Sequence, residues 1–361
     1  MQRQQQNVAV DRSRLTHATV RDLTVEKRRL VEIPYTATLG DTMNALVANC
    51  VTAVPVAAPP GHWIGAGGSM IMESDKHTGA VRKHYIGMVT MLDILAHIAG
   101  DDDVESEMGE LDQKMGAQVS SIIGHCLEGL NLWTLNPNTS ILEGMEVLSK
   151  GIHRALVPVE SNASSSGVEL VESASCYKML TQMDVLRFIK DHHFQQLTSR
   201  SLADLAAINH SVYAITHKTT VFNAIKSMRR ALLIAVPIVQ APDLPEDDHK
   251  QLINGRQRKL VGTFSATDLR GCRLDALQAW LPLTALEFTE KVPTVPLFAA
   301  TTPETQAREL VTCRADEPLS EAIEKVVTRH VHRVWVVGEQ GSLQGLVSLT
   351  DIIRSIREAL V

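Results

Sequence analysis

The sequence predicts an α/β (α+β) protein assembled from four copies of one helix–strand–strand–helix unit. A hydroxyl–x–x–carboxylate phrase recurs as Thr90-Met91-Leu92-Asp93, Thr181-Gln182-Met183-Asp184, Ser265-Ala266-Thr267-Asp268 and Ser348-Leu349-Thr350-Asp351. Its aspartates lie 91, 84 and 83 residues apart, and a fixed period of this kind marks an internal repeat. Each copy also sits between a short apolar run and an amphipathic stretch, the order expected of a strand turning into a helix.

The elements follow in the same order in each copy. A first helix is predicted by apolar spacing at Met43, Leu46 and Val47, at Ile141, Leu142, Met145 and Leu148, at Val221, Ile225 and Met228, and at Ile323, Val326 and Val327. Ser140 and Glu143 form a capping box at the second of these helices, and Pro318 falls near the first turn of the fourth, where a missing N–H is harmless. Apolar strands follow over 51–56, 155–159, 233–239 and 334–337. A second strand is clearest over 85–89, 259–264 and 343–347, and the repeated phrase then opens helices over 94–98, 185–189, 269–277 and 352–360. Val311-Thr312-Cys313 hints at a leading strand.

One such unit cannot cover its own sheet, so the units are expected to pair into two modules of two. The predicted boundaries are a flexible N-terminus over 1–18 and repeats over 19–100, 118–194, 200–279 and 295–361, with a polar hinge near 190–204. Residues 57–83, 101–110, 161–167 and 241–258 are read as solvent-facing insertions. Gly65-Ala66-Gly67-Gly68 lacks the pattern and flanking elements of a phosphate loop.

Composition narrows the function. The 361 residues are 44% apolar and only 4% aromatic, so the core is aliphatic. A net charge of −6 opposes a nucleic-acid binder. The five scattered cysteines show no paired spacing and are read as apolar fillers in a reducing compartment. The N-terminus lacks a signal-peptide h-region, and the longest apolar run, 231–239, is far short of the ~20 residues of a membrane span. A cytoplasmic or nuclear protein is expected, with no membrane partner. His330 and His332 are two apart and His192-His193 ends a polar helix, so no metal site is expected. Nothing matches a nucleophile elbow or a zinc-protease motif, so no enzyme is expected either.

The phrase has two readings. An Asp at a strand-to-helix turn makes a good N-cap. Alternatively its two oxygens suit the vicinal hydroxyls of a ribose, with a phosphate welcomed by the helix N-terminus. A second constellation bears on the choice: His153-Arg154 and His332-Arg333 precede the first strands of repeats two and four. Arg offers a planar fork to phosphate oxygens and His can donate from either ring nitrogen, although cations at a helix C-terminus also favour the helix dipole.

At these residues the chain resembles the CBS-domain family, and specifically the gamma regulatory subunits of AMP-activated and sucrose-non-fermenting-related protein kinases, above all the plant gamma-like members. The resemblance runs from about residue 20 to 361. It implies four CBS repeats paired into two Bateman modules forming a disc, with adenine nucleotide (AMP, ADP or ATP) in the clefts and no other cofactor. It also implies a non-catalytic role beside a kinase catalytic (alpha) subunit and a beta subunit. By the resemblance Asp93, Asp184, Asp268 and Asp351 hold ribose. Thr90, Thr181, Ser265, Thr267, Ser348 and Thr350 line the sites, and His153, Arg154, His332 and Arg333 face phosphate.

Three departures accompany it. AMP-sensing members carry basic residues where this chain has Thr52, Met183 and Ala266. The second site of mammalian-type subunits lacks the carboxylate that Asp184 supplies here, and the loop over 57–83 is longer. The alternative function is a CBS-repeat scaffold whose clefts are empty or hold another ligand.

Overall fold

A computed structural model describes residues 2–58, 85–100, 111–124, 132–159, 177–192, 194, 198–271, 279–291 and 310–360. The chain opens with α1 (Gln2–His17) and α2 (Val20–Thr24). The first repeat contains β1 (Ile33–Pro34), α3 (Leu39–Ala48), β2 (Ala53–Ala57), β3 (Tyr85–Thr90) and α4 (Met91–Ala99). After α5 (Leu111–Met115), the second repeats this order as β4 (Trp133–Thr134), α6 (Ile141–Leu148), β5 (Arg154–Pro158), β6 (Tyr177–Thr181) and α7 (Gln182–Asp191).

The third repeat contains β7 (Tyr213–Thr216), α8 (Val221–Arg230), β8 (Ala235–Val239), β9 (Ile253–Asn254) and β10 (Leu260–Ser265). After α9 (Ala285–Lys291), the fourth contains β11 (Thr312–Cys313), α10 (Leu319–Thr328), β12 (Arg333–Val337), β13 (Leu343–Ser348) and α11 (Leu349–Leu360).

Every repeat builds the same small sheet. A short leading strand pairs parallel with the strand after the first helix, and that strand pairs antiparallel with the one that ends in the repeated phrase. The parallel pair needs a helical crossover, which the first helix supplies. Its apolar stripe is what the spacing predicts: Met43, Leu46, Met145, Leu148, Ile225, Met228, Ile323 and Val326 are all buried.

The pairing of repeats is set by exchanged leader segments. The segment before repeat one docks on repeat two, with Val20 N donating to Thr139 O at 2.8 Å and Arg21 N to Pro137 O at 2.8 Å. The segment before repeat two returns the contact, with Val119 N donating to Ala37 O at 2.8 Å. Repeats three and four do the same. Leu202 N donates to Glu317 O and Ala203 N to Ala315 O, both at 3.0 Å, while Ala285 N donates to Thr219 O at 2.8 Å.

Between the modules the contact is helical. One apolar cluster joins repeats one and three and includes Met91, Leu95, Val221, Ile225 and Met228. A second joins repeats two and four and includes Met145, Leu186, Ile323, Ile352 and Ile356. Sheet contacts within modules and helix contacts between them close the four CBS-like repeats into a ring. At the third–fourth sheet interface the backbones approach so closely that a Cβ on Gly345 would lie 2.8 Å from Asn209 O, besides 2.6 Å from Ile208 Cγ2, so only glycine fits there.

Two expectations, on 241–258 and on the helix after the third phrase, are corrected. Gln2–His17 forms a helix, and Leu15 near its C-terminal end is completely buried in the second apolar cluster. Within the polar stretch near 190–204, the described Phe194 and Leu202 are fully buried. The insertion over 241–258 is not simply solvent-facing: β9 pairs with β7, and His249 is buried with Nδ1 2.7 Å from Thr216 Oγ1. The third phrase opens a 3-10 turn, Asp268–Gly271, where an α-helix is expected; the rest of 269–277 lies outside the described residues. So do residues 59–83 of the first insertion, with its Gly65-Ala66-Gly67-Gly68, and those at 101–110 and 161–167.

Candidate functional site

The repeated phrase is a capping box. Thr90 is the N-cap of α4 with extended backbone, and Asp93, three residues on, reaches back to it. Asp93 Oδ2 accepts from Thr90 N at 2.8 Å and from Thr90 Oγ1 at 2.6 Å. Asp184 Oδ2 accepts from Thr181 N at 2.8 Å and Oγ1 at 2.7 Å. Ser265 N donates to Asp268 Oδ2 at 2.7 Å. Ser348 N and Oγ donate to Asp351 Oδ2 at 2.9 and 2.6 Å. In the first, second and fourth copies the hydroxyl residue, not the aspartate, is therefore the cap, whereas the third opens its turn at Asp268 itself.

The same device starts other helices, as Thr38 with Asp41, Ser140 with Glu143 and Thr284 with Glu287. There it holds Asp41 and Glu287 below the usual carboxylate range, chiefly through the Thr38 hydroxyl and the Thr284 backbone N–H respectively.

One oxygen of each carboxylate is thus committed to its own helix, and the second distinguishes the four copies. Asp93 and Asp268 are 0% and 1% exposed, with Oδ1 sealed from solvent. Asp184 is 6% exposed; its Oδ2 also meets Lys27 Nζ at 2.7 Å, and Arg187 lies 3.8 Å from Oδ1. Asp351 is the most open, at 15%, with its Oδ1 3.2 Å from the half-exposed Arg354 guanidinium.

The His-Arg pairs occupy matching positions. Arg154 lies opposite Thr181 in the β5–β6 ladder, and its Nη2 donates to Thr52 Oγ1 of repeat one at 3.1 Å. Thr52 immediately precedes β2, whose Ala53 lies opposite Thr90. Arg333 lies opposite Ser348, and its Nη1 donates to Ala235 O at 3.2 Å, where Ala235 lies opposite Ser265. Each module therefore has one arginine running from the phrase of one repeat toward the phrase of its mate. The backbone carbonyls of the preceding histidines also meet the phrases: Gln182 N donates to His153 O and Leu349 N to His332 O, both at 3.2 Å.

Not every expected residue converges. Thr350 is buried between repeats two and four, where its hydroxyl accepts from Gln182 Nε2 at 2.8 Å. Thr267 lies in the turn between β10 and the 3-10 turn and is half-buried. His330 takes a left-handed backbone (φ 52°) at the end of α10, a turn position that histidine tolerates. Among the described residues no three His, Cys, Asp or Glu side chains group as metal ligands, and no helix is long and apolar enough to cross a membrane. Sequence reasoning missed Lys27 and Gln182, since nothing local marks a residue whose partner lies in another repeat.

Comparison with known proteins decides the family. The chain is 67% identical over 364 residues to the SNF1-related protein kinase regulatory subunit gamma-like PV42a of Arabidopsis thaliana, covering 99% of both chains. It is 59% identical over 352 residues to gamma-like PV42b of the same plant, covering 97% of both.

The chain belongs to the gamma-like regulatory subunits of SNF1-related protein kinases.

The CBS domain profile matches residues 306–358, the fourth repeat of this gamma-like subunit. Among solved structures it resembles protein MJ1225 from Methanocaldococcus jannaschii, a proposed archaeal homologue of the AMPK gamma subunit. That match has TM-score 0.58 and 18% identity, covering 91% of this chain and 96% of the other. At that identity the likeness concerns the fold.

Proposed function

We propose that this gamma-like subunit is a non-catalytic regulator of a Ser/Thr kinase complex that binds adenine nucleotide (AMP, ADP or ATP) between paired repeats. The observation that carries the reading is the placement of Arg154 and Arg333, each spanning from one helix-opening phrase toward its mate. An arginine fork beside a helix N-terminus and a carboxylate supplies what a nucleoside phosphate requires: cationic donors for phosphate and acceptors for a ribose diol. The kinase catalytic (alpha) and beta subunits are the proposed partners, in the cytoplasm or nucleus. A partner senses the ligand only if it binds filled and empty forms with different affinity.

Titration calorimetry with AMP, ADP and ATP up to millimolar concentration tests the binding, and saturable heat from at least one is expected. Its absence for all three overturns nucleotide sensing. Co-purification with kinase catalytic and beta subunits tests the assembly.

A second reading, an assembly scaffold, is favoured by the sealed carboxylates of Asp93 and Asp268, and by uncharged Thr52, Met183 and Ala266 where the resemblance implies cations in an AMP sensor. It is supported if the complex assembles equally well with and without nucleotide.

A further inference from the structure

We infer that Lys27 occludes the second cleft, so that the Asp351 cleft is the one open to a nucleotide; this rests on the nucleotide reading above. Lys27 follows α2, the leader segment that crosses from repeat one onto repeat two. Its backbone N donates to Thr24 O at 3.2 Å, closing the turn after that helix. The strap is stapled to β6 from both sides, with Lys178 Nζ donating to Thr24 O at 2.7 Å and Val25 O at 2.8 Å, and Leu30 N to Tyr177 O at 3.3 Å. Held this way, Lys27 Nζ sits 2.7 Å from Asp184 Oδ2.

That oxygen already accepts from Thr181 N and Oγ1, so the lysine is its third donor. The ammonium neutralises the carboxylate and lies over the group that a ribose would approach. Only 6% of the Asp184 side chain remains exposed, and 29% of Lys27.

Among the described residues the other module shows no counterpart of this lysine. Its leader docks with the same bonds, since the Thr19–Ser140 bridge matches the Ser201–Pro318 bridge. Eight residues beyond Thr19 is Lys27, and eight beyond Ser201 is Asn209. Asn209 pairs through its backbone with Leu346, and its Oδ1 accepts from Ser211 N at 2.9 Å. Asp351 is met by Arg354 of its own helix at 3.2 Å, as Asp184 is approached by Arg187 at 3.8 Å, and 15% of the Asp351 side chain stays exposed against 6% for Asp184. Equivalent positions in two pseudo-symmetric modules thus differ in one charge, and that charge decides which carboxylate is available.

The test is equilibrium dialysis of radiolabelled ATP against the full chain, with folding checked by thermal melts. The wild type is expected to bind one equivalent, and Asp351→Ala none. Lys27→Met keeps the length of the stem while removing the charge, and is expected to bind two. Lys27→Met with Asp351→Ala is expected to bind one. Lys27→Gln serves as a second uncharged variant with the same expected gain. One equivalent for wild type and both Lys27 variants alike overturns the occlusion while leaving the nucleotide reading intact. No binding by any variant overturns both.

Discussion

Gln182 Nε2 donates to Thr350 Oγ1 at 2.8 Å, joining the repeated phrase of repeat two to that of repeat four across the module boundary. The same amide group donates to Leu148 O at 3.0 Å, and both side chains are buried. A residue expected to line a cleft is therefore part of the joint between modules. Thr350→Val removes the acceptor and leaves the shape, and is expected to lower unfolding stability by about 1–2 kcal/mol. Gln182→Leu with Thr350→Val is expected to lose less than the two single variants summed, because no buried donor is left unmet. Chemical denaturation of all three variants checks this.

The capping role predicts a stability effect independent of any ligand. Asp93→Ala breaks two hydrogen bonds to Thr90 at a fully buried helix start. A loss of about 1–2 kcal/mol is expected without nucleotide, at the upper end of cap substitutions. Melting curves in nucleotide-free buffer read it directly. Loss of binding in an Asp→Ala variant consequently needs a folding control.

Leu232 occupies a left-handed backbone conformation (φ 54°) where α8 turns into β8, and its side chain is 51% exposed. Cys50 and His330 hold the corresponding positions in repeats one and four with the same positive φ, which histidine tolerates better, whereas repeat two has Gly151. Leu232→Gly relieves a conformation that L-residues disfavour, for a gain of about 1 kcal/mol partly offset by the flexibility of glycine in the unfolded chain. A rise in melting temperature is expected.

Cysteine reactivity divides by burial. The Cys313 thiol is pushed up to about 12, first by burial and then by the Glu317 carboxylate, against the opposing charge of Lys325. Cys50 is exposed. Cys50→Ser is expected to reduce native-state labelling at pH 8 by one thiol, and Cys313→Ser to leave it unchanged. Because the folded chain keeps the Cys313 proton that the unfolded chain releases near pH 9, stability from this group is intact below pH 9. It falls as pH rises toward 12.

Most of the architecture was legible in the sequence. The helices follow from apolar spacing such as Ile225 with Met228. The strands follow from runs such as 334–337, and the repeat from the recurring phrase. The phrase itself is only half legible: Ser140 with Glu143 reads as a capping box from sequence, whereas Thr90 with Asp93 reads equally as an aspartate cap or a ribose-binding carboxylate, and the structure shows the capping box. What escaped were relations between distant residues. Leu15 needed the cluster of repeats two and four to give it a burial site, and Lys27 needed the exchanged leader to bring it to Asp184. Periodicity reports which face of an element is apolar, and carries no information about which other element will cover it.

The central claim concerns the carboxylate that remains accessible, in the cleft beside Arg333. The most direct measurement is the melting temperature of wild type and Asp351→Ala with and without ATP. A ligand at a hundredfold excess over its dissociation constant stabilises the folded state by about 2.7 kcal/mol. A clear upward shift is predicted for the wild type, and none for Asp351→Ala even though that variant still melts cooperatively. An equal shift in both proteins would contradict the account.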